Sequence, residues 1–284
     1  MDINLNRKTI LVDGVNVRCF YAGNGNTPVV LLHGAGVDSA MMSWAEGMEL
    51  LAEEFKVIAP DLPGYGGSDR IEGEYTLQFY TDIVKGIIEA FECSPVIMAG
   101  LSLGGGICLN MALNYPELIK LLIPVDAWGI FPKLPYHRLT YWYTRSKIND
   151  NLYQWTGKYQ SLIRWSLNYN LIGDKSKVTE ALVEEVQRAM LEPDAGKPFI
   201  SFQRSEITKT GLKTDLFSRL GEISMPTLLI HGSRDKAVPL KYAVAASKII
   251  PNCRLHIMEG CKHWPQKERP GEFVKVVGDF IKRH

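Results

Sequence analysis

A serine flanked by glycines is the clearest candidate for covalent chemistry in this chain. Residues 100–104 read GLSLG, and Ser102 lies between an apolar run ending at Ala99 and a helix predicted to begin at Leu103. Strand, tight turn and helix in this order form a nucleophile elbow, which exposes the serine hydroxyl above a sheet, and the flanking glycines avoid crowding. We therefore predict that Ser102 attacks a carbonyl carbon.

A serine hydroxyl needs a base near neutral pH, and imidazole has a suitable pKa for that task. Among the six histidines, His263 follows the last predicted strand, which is the position expected when the chain order is serine, acid, histidine. His33 and His231 each end a strand before a glycine, so we expect them to hydrogen-bond nearby backbone. His263 is the predicted general base.

The acid that orients His263 must precede it and lie on a loop at the carboxyl end of a strand. Asp235, in the segment HGSRDKAVP, meets these demands. Asp126 at the end of another strand is the alternative, and whichever carboxylate is not used should cap a helix or turn. Asp235 is the predicted acid.

Two backbone N–H groups are expected to stabilise the oxyanion that forms during attack. One belongs to Leu103, directly after the nucleophile, and the other to Ala35 in the loop HGAG that follows an earlier strand. Small residues in that loop let the backbone approach a substrate.

The elements that hold these residues alternate between buried strands and helices, which predicts a parallel sheet covered on both faces. An opening hairpin has Asp13 and Gly14 as its turn signal. The predicted strands span 29–32, 56–59, 96–99, 118–125, 227–230 and 254–258, and the predicted helices span 76–91, 103–114, 240–250 and 272–282.

Alternation stops between residues 129 and 219, where no buried-strand signal occurs and aromatic residues are concentrated. This length far exceeds an ordinary connection, so the segment is predicted to be an inserted, mainly helical cap. Thr179 is a candidate N-cap of a helix over 180–190. Residues 1–128 and 220–284 then form the core, and the cap covers a cleft.

Composition narrows the classes of partner. The 32 Lys and Arg residues balance 31 Asp and Glu residues, which argues against a nucleic-acid or anionic-membrane partner and favours a small molecule. The first residues of the chain do not have the pattern of an export signal, so we expect a cytoplasmic protein. The five scattered cysteines show no metal-ligand spacing, so we expect free thiols and no metal, and no cofactor is expected. Oligomeric state stays open.

Taken together, these motifs resemble the α/β-hydrolase superfamily over nearly the whole chain. The matching segments are LLHGAG, VIAPDLPGYGGSD, AGLSLGGG, LLIHGSRDKAVP and GCKHWPQKERP. The resemblance implies a core of about eight mostly parallel strands with a cap inserted after the sixth strand, which agrees with the point where the alternation stops.

Within that superfamily, the segment HWPQKE at 263–268 is similar to meta-cleavage-product hydrolases, which cut carbon–carbon bonds in ring-fission products. Two departures stand out: Leu101 occupies the place of an asparagine before the nucleophile, and Val186 lies near the place of a cap arginine that holds a carboxylate. Arg188 follows two positions later, about 200° around a helix.

These observations favour a carboxylesterase-like serine hydrolase acting on esters of small to medium hydrophobic groups through an acyl-enzyme. The alternatives are carbon–carbon hydrolysis and a hydrolase-like ligand receptor with slow turnover. The candidate substrate contacts are Gly36, Trp128, Trp264 and Arg188.

Overall fold

Eight strands form one twisted sheet in the computed structural model, which describes residues 5–284. Residues 1–4, part of the segment assessed for an export signal, lie outside this range. The sheet order is β1-β2-β4-β3-β5-β6-β7-β8; β1 pairs antiparallel with β2, β2 with β4, and every later pairing is parallel. The strands are β1 Asn6–Val12, β2 Val15–Ala22, β3 Pro28–Leu32, β4 Lys56–Pro60, β5 Val96–Leu101, β6 Ile119–Val125, β7 Thr227–Gly232 and β8 Cys253–Met258.

Helices cover both faces of this sheet, as the alternation predicted. They are α1 Ala40–Leu51, α2 Leu77–Ala90, α3 Leu103–Asn114, α4 His137–Thr144, α5 Lys147–Gly157, α6 Gln160–Ser166, α7 Glu180–Leu191, α8 Lys197–Glu206, α9 Leu240–Ile249, α10 Pro265–Glu268 and α11 Pro270–Ile281. The expected α/β-hydrolase architecture is thereby confirmed.

The central strands are predominantly apolar because both of their faces are covered. Every residue of β5 and β7 is buried, and the two hydrophobic clusters of the core lie on opposite faces of the sheet. At the carboxyl ends of these strands the chain turns into loops, and such ends are where parallel sheets hold their ligands.

The segment between β6 and β7 contains α4 to α8 and no strand of the sheet, in agreement with the predicted helical insertion. Thr179 caps α7, since its hydroxyl accepts a hydrogen bond from the Leu182 N–H at 3.2 Å, as predicted. The two ends of the segment meet where Gly129, with φ +87°, faces Leu216, whose side chain a Cβ atom would overlap. The domain boundaries at 129 and 219 stay a prediction.

Outside the insertion, whose helices other than α7 were predicted only collectively, two helices were missing from the sequence prediction. Helix α1 buries one face, but Ser43 and Gly47 lie on that face while the apolar Leu50 is exposed, so its apolar residues do not mark the face in the sequence. Helix α10 has only four residues. All five cysteines carry free thiols, and among residues 5–284 no helix has the length and apolar character needed to cross a membrane.

Candidate active site

Ser102 occupies a strained turn between β5 and α3. Its φ of 51° and ψ of −109° are unusual for a residue with a side chain. Hydrogen bonds hold this geometry: the Ser102 N–H donates to the Val125 carbonyl, and the Ser102 carbonyl accepts N–H bonds from Gly106 and Trp128, all at 2.9 Å. The nucleophile position is therefore fixed by β6, α3 and the first residues after β6.

The glycines beside Ser102 are required by packing. A Cβ atom at Gly100 would overlap the Gly104 carbonyl, and one at Gly104 would overlap the Leu32 carbonyl at the end of β3. Helix α3 can thus approach the sheet only with glycine at these positions.

Two backbone N–H groups beside Ser102 have no acceptor within residues 5–284. They belong to Leu103, the first residue of α3, and to Ala35 in the loop after β3. Both residues line the same cavity as Ser102. Free N–H groups at a helix start and a neighbouring loop can bind an oxyanion, as the sequence predicted for these two residues.

His263 and Asp235 come together from loops that follow β8 and β7. The His263 Nδ1 lies 2.8 Å from the Asp235 Oδ2, while the other oxygen of Asp235 accepts N–H bonds from Ala237 at 2.7 Å and Val238 at 3.1 Å. Burial alone would raise the pKa of Asp235, but His263 and these hydrogen bonds outweigh it and hold the pKa below its usual value. An ionised Asp235 can fix the ring orientation of His263.

Asp126, the alternative acid, occupies a different place in the site. It is fully buried at the end of β6, and its Oδ1 accepts the Gly232 N–H at 3.0 Å. One oxygen each from Asp126 and Asp235 and a ring nitrogen of His263 lie within 4.8 Å of one another. Burial, and then the charge of Asp235, raises the pKa of Asp126 well above its usual value, which favours the neutral carboxyl over the carboxylate.

The histidines at the ends of β3 and β7 bond to backbone, as expected. The His33 Nε2 accepts the Leu62 N–H at 2.9 Å, so Nδ1 carries the hydrogen and donates to the Gly34 carbonyl at 2.7 Å. The His231 Nε2 donates to the Val238 carbonyl at 2.7 Å.

Ser102 and His263 share the wall of a cavity of about 490 Å³. Within the described residues its lining contains no Asp, Glu, Lys or Arg. The polar side chains on its wall other than these two come mainly from the helical insertion, and the apolar ones include Leu101 and Val186. The remaining lining residues with polar side chains are Thr140, Tyr153, Thr156, Ser166, Asn170 and Gln203, with the indoles of Trp128 and Trp264.

Of the four candidate substrate contacts, Gly36, Trp128 and Trp264 line this cavity and Arg188 does not. Arg188 lines a neighbouring pocket with Glu185 and Glu192. Arg188 lies off the cavity wall because a helix advances about 100° per residue and Val186 already faces the cavity, so its role as a substrate contact stays a prediction.

Sequence reasoning assigned no individual role to Tyr153 of α5. Its hydroxyl donates to the Gly36 carbonyl at 3.2 Å, which ties the helical insertion to the loop that carries Ala35. The concentration of aromatic residues in the segment was the available signal, but it does not distinguish one tyrosine from another.

Glu268, noted in sequence only as part of HWPQKE, is buried and supports the loop that carries His263. Its oxygens accept N–H bonds from Gly173 and Asp174 at 2.8 Å, and a longer one from Lys262 at 3.4 Å. The carboxylate thereby joins the His263 loop to the end of the α6 region.

Comparison with known proteins places this arrangement among hydrolases. The model of the family described as alpha/beta hydrolase fold matches residues 27–270. The chain is 28% identical over 279 residues to 2-hydroxy-6-oxo-2,4-heptadienoate hydrolase of Pseudomonas putida strain F1, covering 96% of this chain and 95% of that one. It is 27% identical to 2-hydroxymuconate semialdehyde hydrolase of Pseudomonas sp. strain CF600, covering 96% and 93%.

Solved structures give the same grouping. The meta-cleavage product hydrolase CumD from Pseudomonas fluorescens IP01 superposes with a TM-score of 0.81 at 27% identity, covering 97% of each chain. A thermophilic esterase from Thermogutta terrifontis superposes with a TM-score of 0.79 at 21% identity, covering 98% of each chain, which shows a shared fold.

Proposed function

Because this chain belongs to the α/β-hydrolase fold family, we propose that its Ser102, His263 and Asp235 form a catalytic triad that hydrolyses carboxylic esters. This proposal rests on the cavity beside Ser102 and His263. The lining is mostly apolar, and among residues 5–284 it contains no Asp, Glu, Lys or Arg. An uncharged ester with a hydrophobic group of moderate size fits such a site.

In the proposed reaction, the Ser102 hydroxyl attacks the ester carbonyl as His263 accepts its proton. The N–H groups of Ala35 and Leu103 donate to the oxyanion, and ionised Asp235 stabilises the imidazolium. His263 then gives the proton to the departing alcohol. Water, deprotonated by His263, attacks the acyl-enzyme, and His263 then returns the proton to the Ser102 oxygen as the acid is released.

Carbon–carbon hydrolysis is the second candidate function, because two relatives at 27–28% identity are named for dienoate and semialdehyde substrates. A dienoate carries a carboxylate, and a cation in the cavity would be needed to neutralise it on burial. Leu101 and Val186 line the cavity, and Arg188 lies in a different pocket. This lining supports the ester over the dienoate.

Kinetics on a mixed substrate panel separates these functions. The panel contains p-nitrophenyl esters of increasing acyl length, lactones and a ring-fission dienoate, and a fluorophosphonate probe labels the active serine. For Ser102→Ala we expect loss of labelling and a kcat lower by at least about 10³-fold, since triads act as a unit. Ser247→Ala on α9, whose hydroxyl bonds only the Val244 carbonyl, is the matched control and should behave as the wild type.

Other outcomes of the same panel would replace the proposal. A higher kcat/KM for the dienoate than for any ester would establish carbon–carbon hydrolysis as the main activity. Negligible turnover on the whole panel, with ligand-dependent stabilisation, would favour the receptor function.

A further inference from the structure

Large hydrophobic side chains are exposed on one part of the helical insertion. Of the fifteen exposed large hydrophobic residues in the described chain, eight lie between positions 136 and 159. We call this set the aromatic face, and it comprises Tyr136, Leu139, Trp142, Tyr143, Ile148, Leu152, Trp155 and Tyr159. Two of its members, Tyr136 and Leu139, are 85% and 70% exposed, which is unusual for side chains of their size.

The aromatic face occupies the outer sides of α4 and α5. Ile148, Leu152, Trp155 and Tyr159 recur at intervals of three and four residues, so they form one stripe along α5 and its end. Helices α4 and α5 contact each other, and both pack against α8. The exposed sides of these two neighbouring helices are therefore turned away from α8.

The exposed charged side chains of the same segment that form no ion pair within residues 5–284 are all basic. Five exposed basic residues, Lys133, Arg138, Arg145, Lys147 and Lys158, lie between positions 132 and 160, and none of them forms an ion pair within residues 5–284. The single acidic residue there, Asp150, is paired with Arg204 at 2.6 Å. The net charge of +1 for the whole chain thus averages over a locally basic segment.

The inner sides of the same helices line the catalytic cavity. Thr140 of α4 and Tyr153 and Thr156 of α5 belong to its wall. Consecutive residues differ by about 100° around a helix, so the aromatic face and the cavity wall are neighbouring sides of α4 and α5.

We propose that the aromatic face docks this protein onto an anionic lipid surface. Exposed Trp and Tyr side chains favour the interface between water and lipid, where their rings are buried and their polar groups stay hydrated. Lys and Arg beside them add attraction to anionic headgroups. We expected no membrane partner because the net charge of the whole chain is close to zero. This segment is locally basic, so that expectation does not apply to it.

A second copy of the chain is the less suitable occupant of this surface. A two-fold contact would place the aromatic face of one copy against the aromatic face of the other, so ten basic groups without an ion-pair partner would share one interface. Anionic headgroups neutralise these charges instead.

Cosedimentation with vesicles tests the proposal. The wild type and Ser102→Ala are mixed with vesicles of equal parts phosphatidylcholine and phosphatidylglycerol, or of phosphatidylcholine alone. We expect binding to the mixed vesicles, at least about tenfold weaker binding to the neutral ones, and weakening by added salt. Ser102→Ala should bind as the wild type, so this result does not depend on the proposed ester hydrolysis.

Two double variants locate the contact. Trp142→Ser with Trp155→Ser removes two rings, and Lys147→Glu with Lys158→Glu reverses two charges; each should weaken binding to the mixed vesicles at least about tenfold. Leu11→Ser on β1 and Lys275→Glu on α11 are matched controls at other exposed positions and should bind as the wild type. Urea unfolding of every variant verifies that it is folded.

Three results would overturn the proposal. They are absence of wild-type binding to the mixed vesicles, equal binding to neutral vesicles, and binding unchanged in folded double variants. If vesicles stay unbound and sedimentation velocity shows a dimer that the double tryptophan variant dissociates, the surface joins two copies of the chain.

Discussion

The Nδ1 of His231 lies 3.2 Å from the Oδ1 of Asp126, and both side chains are buried. The other ring nitrogen of His231 donates to a carbonyl, so in the neutral imidazole Nδ1 has a lone pair directed at the carboxyl. Burial lowers the pKa of His231 and raises that of Asp126. An imidazole lone pair repels a carboxylate, so this contact favours the neutral carboxyl of Asp126 beside Asp235.

Replacement of Asp126 by asparagine should change how stability depends on pH. The folded pKa of Asp126 is raised, so the folded state binds more protons than the unfolded chain once the pH exceeds the unfolded value of about 4, and stability declines as the pH rises toward the folded value. Asp126→Asn should lack this decline. Urea unfolding at a series of pH values measures it, with exposed Asp279→Asn as control; equal slopes in wild type and Asp126→Asn would contradict the assignment.

The two buried aspartates should differ in catalysis. Asp235→Asn should lower kcat by about 10⁴-fold, because the amide no longer holds His263 in the required tautomer. Asp126→Asn should lower kcat by less than about tenfold, since neither the protonated acid nor the amide carries a charge. Saturation kinetics with p-nitrophenyl butyrate compares them, and a reversed order would make Asp126 the triad acid.

The hydrogen bond of Tyr153 should matter for the loop that carries Ala35. In Tyr153→Phe the ring stays and the bond to the Gly36 carbonyl is lost, so we expect a loss of about 0.5–1.5 kcal/mol in the free energy of unfolding and a several-fold lower kcat. Tyr159→Phe, which is 50% exposed, is the control. Urea unfolding and ester kinetics are the measurements; identical behaviour of the two variants would show that the bond contributes nothing.

Two helical glycines should respond in opposite ways to alanine. At Gly104 the added Cβ overlaps the Leu32 carbonyl, so Gly104→Ala should lower the free energy of unfolding by about 2–4 kcal/mol. At Gly271 on α11 nothing lies within 4 Å of the added atom, so Gly271→Ala should raise it by about 0.4–1 kcal/mol. Urea unfolding of both variants decides; a Gly104→Ala protein as stable as the wild type would remove the packing explanation.

Local patterns were sufficient for those parts of the molecule that depend on neighbouring residues. The buried strands, the bounds of α3 and the Thr179 cap follow from apolar runs, turn residues and one hydroxyl at a helix start. The elbow at Ser102 belongs to this group, since strand, turn and helix are consecutive in sequence.

Features that depend on distant residues required the structure. The contact between Asp126 and His231 brings together residues that are 105 positions apart in the sequence. The side of α7 on which Arg188 lies relative to the cavity depends on how that helix packs. The insertion contains a locally basic segment, which the nearly balanced net charge of the whole chain does not reveal. The ends of the strands could be predicted from the sequence, but the side chains that meet at those ends could not.

All three proposed triad residues lie outside the segment whose ends meet at Gly129 and Leu216. Because both ends of that segment leave the core at one point, a different helical segment could be joined there without displacing β6 or β7. Such a graft would exchange most of the cavity roof, but it would also have to supply the N–H groups that Gly173 and Asp174 donate to Glu268 beside the His263 loop.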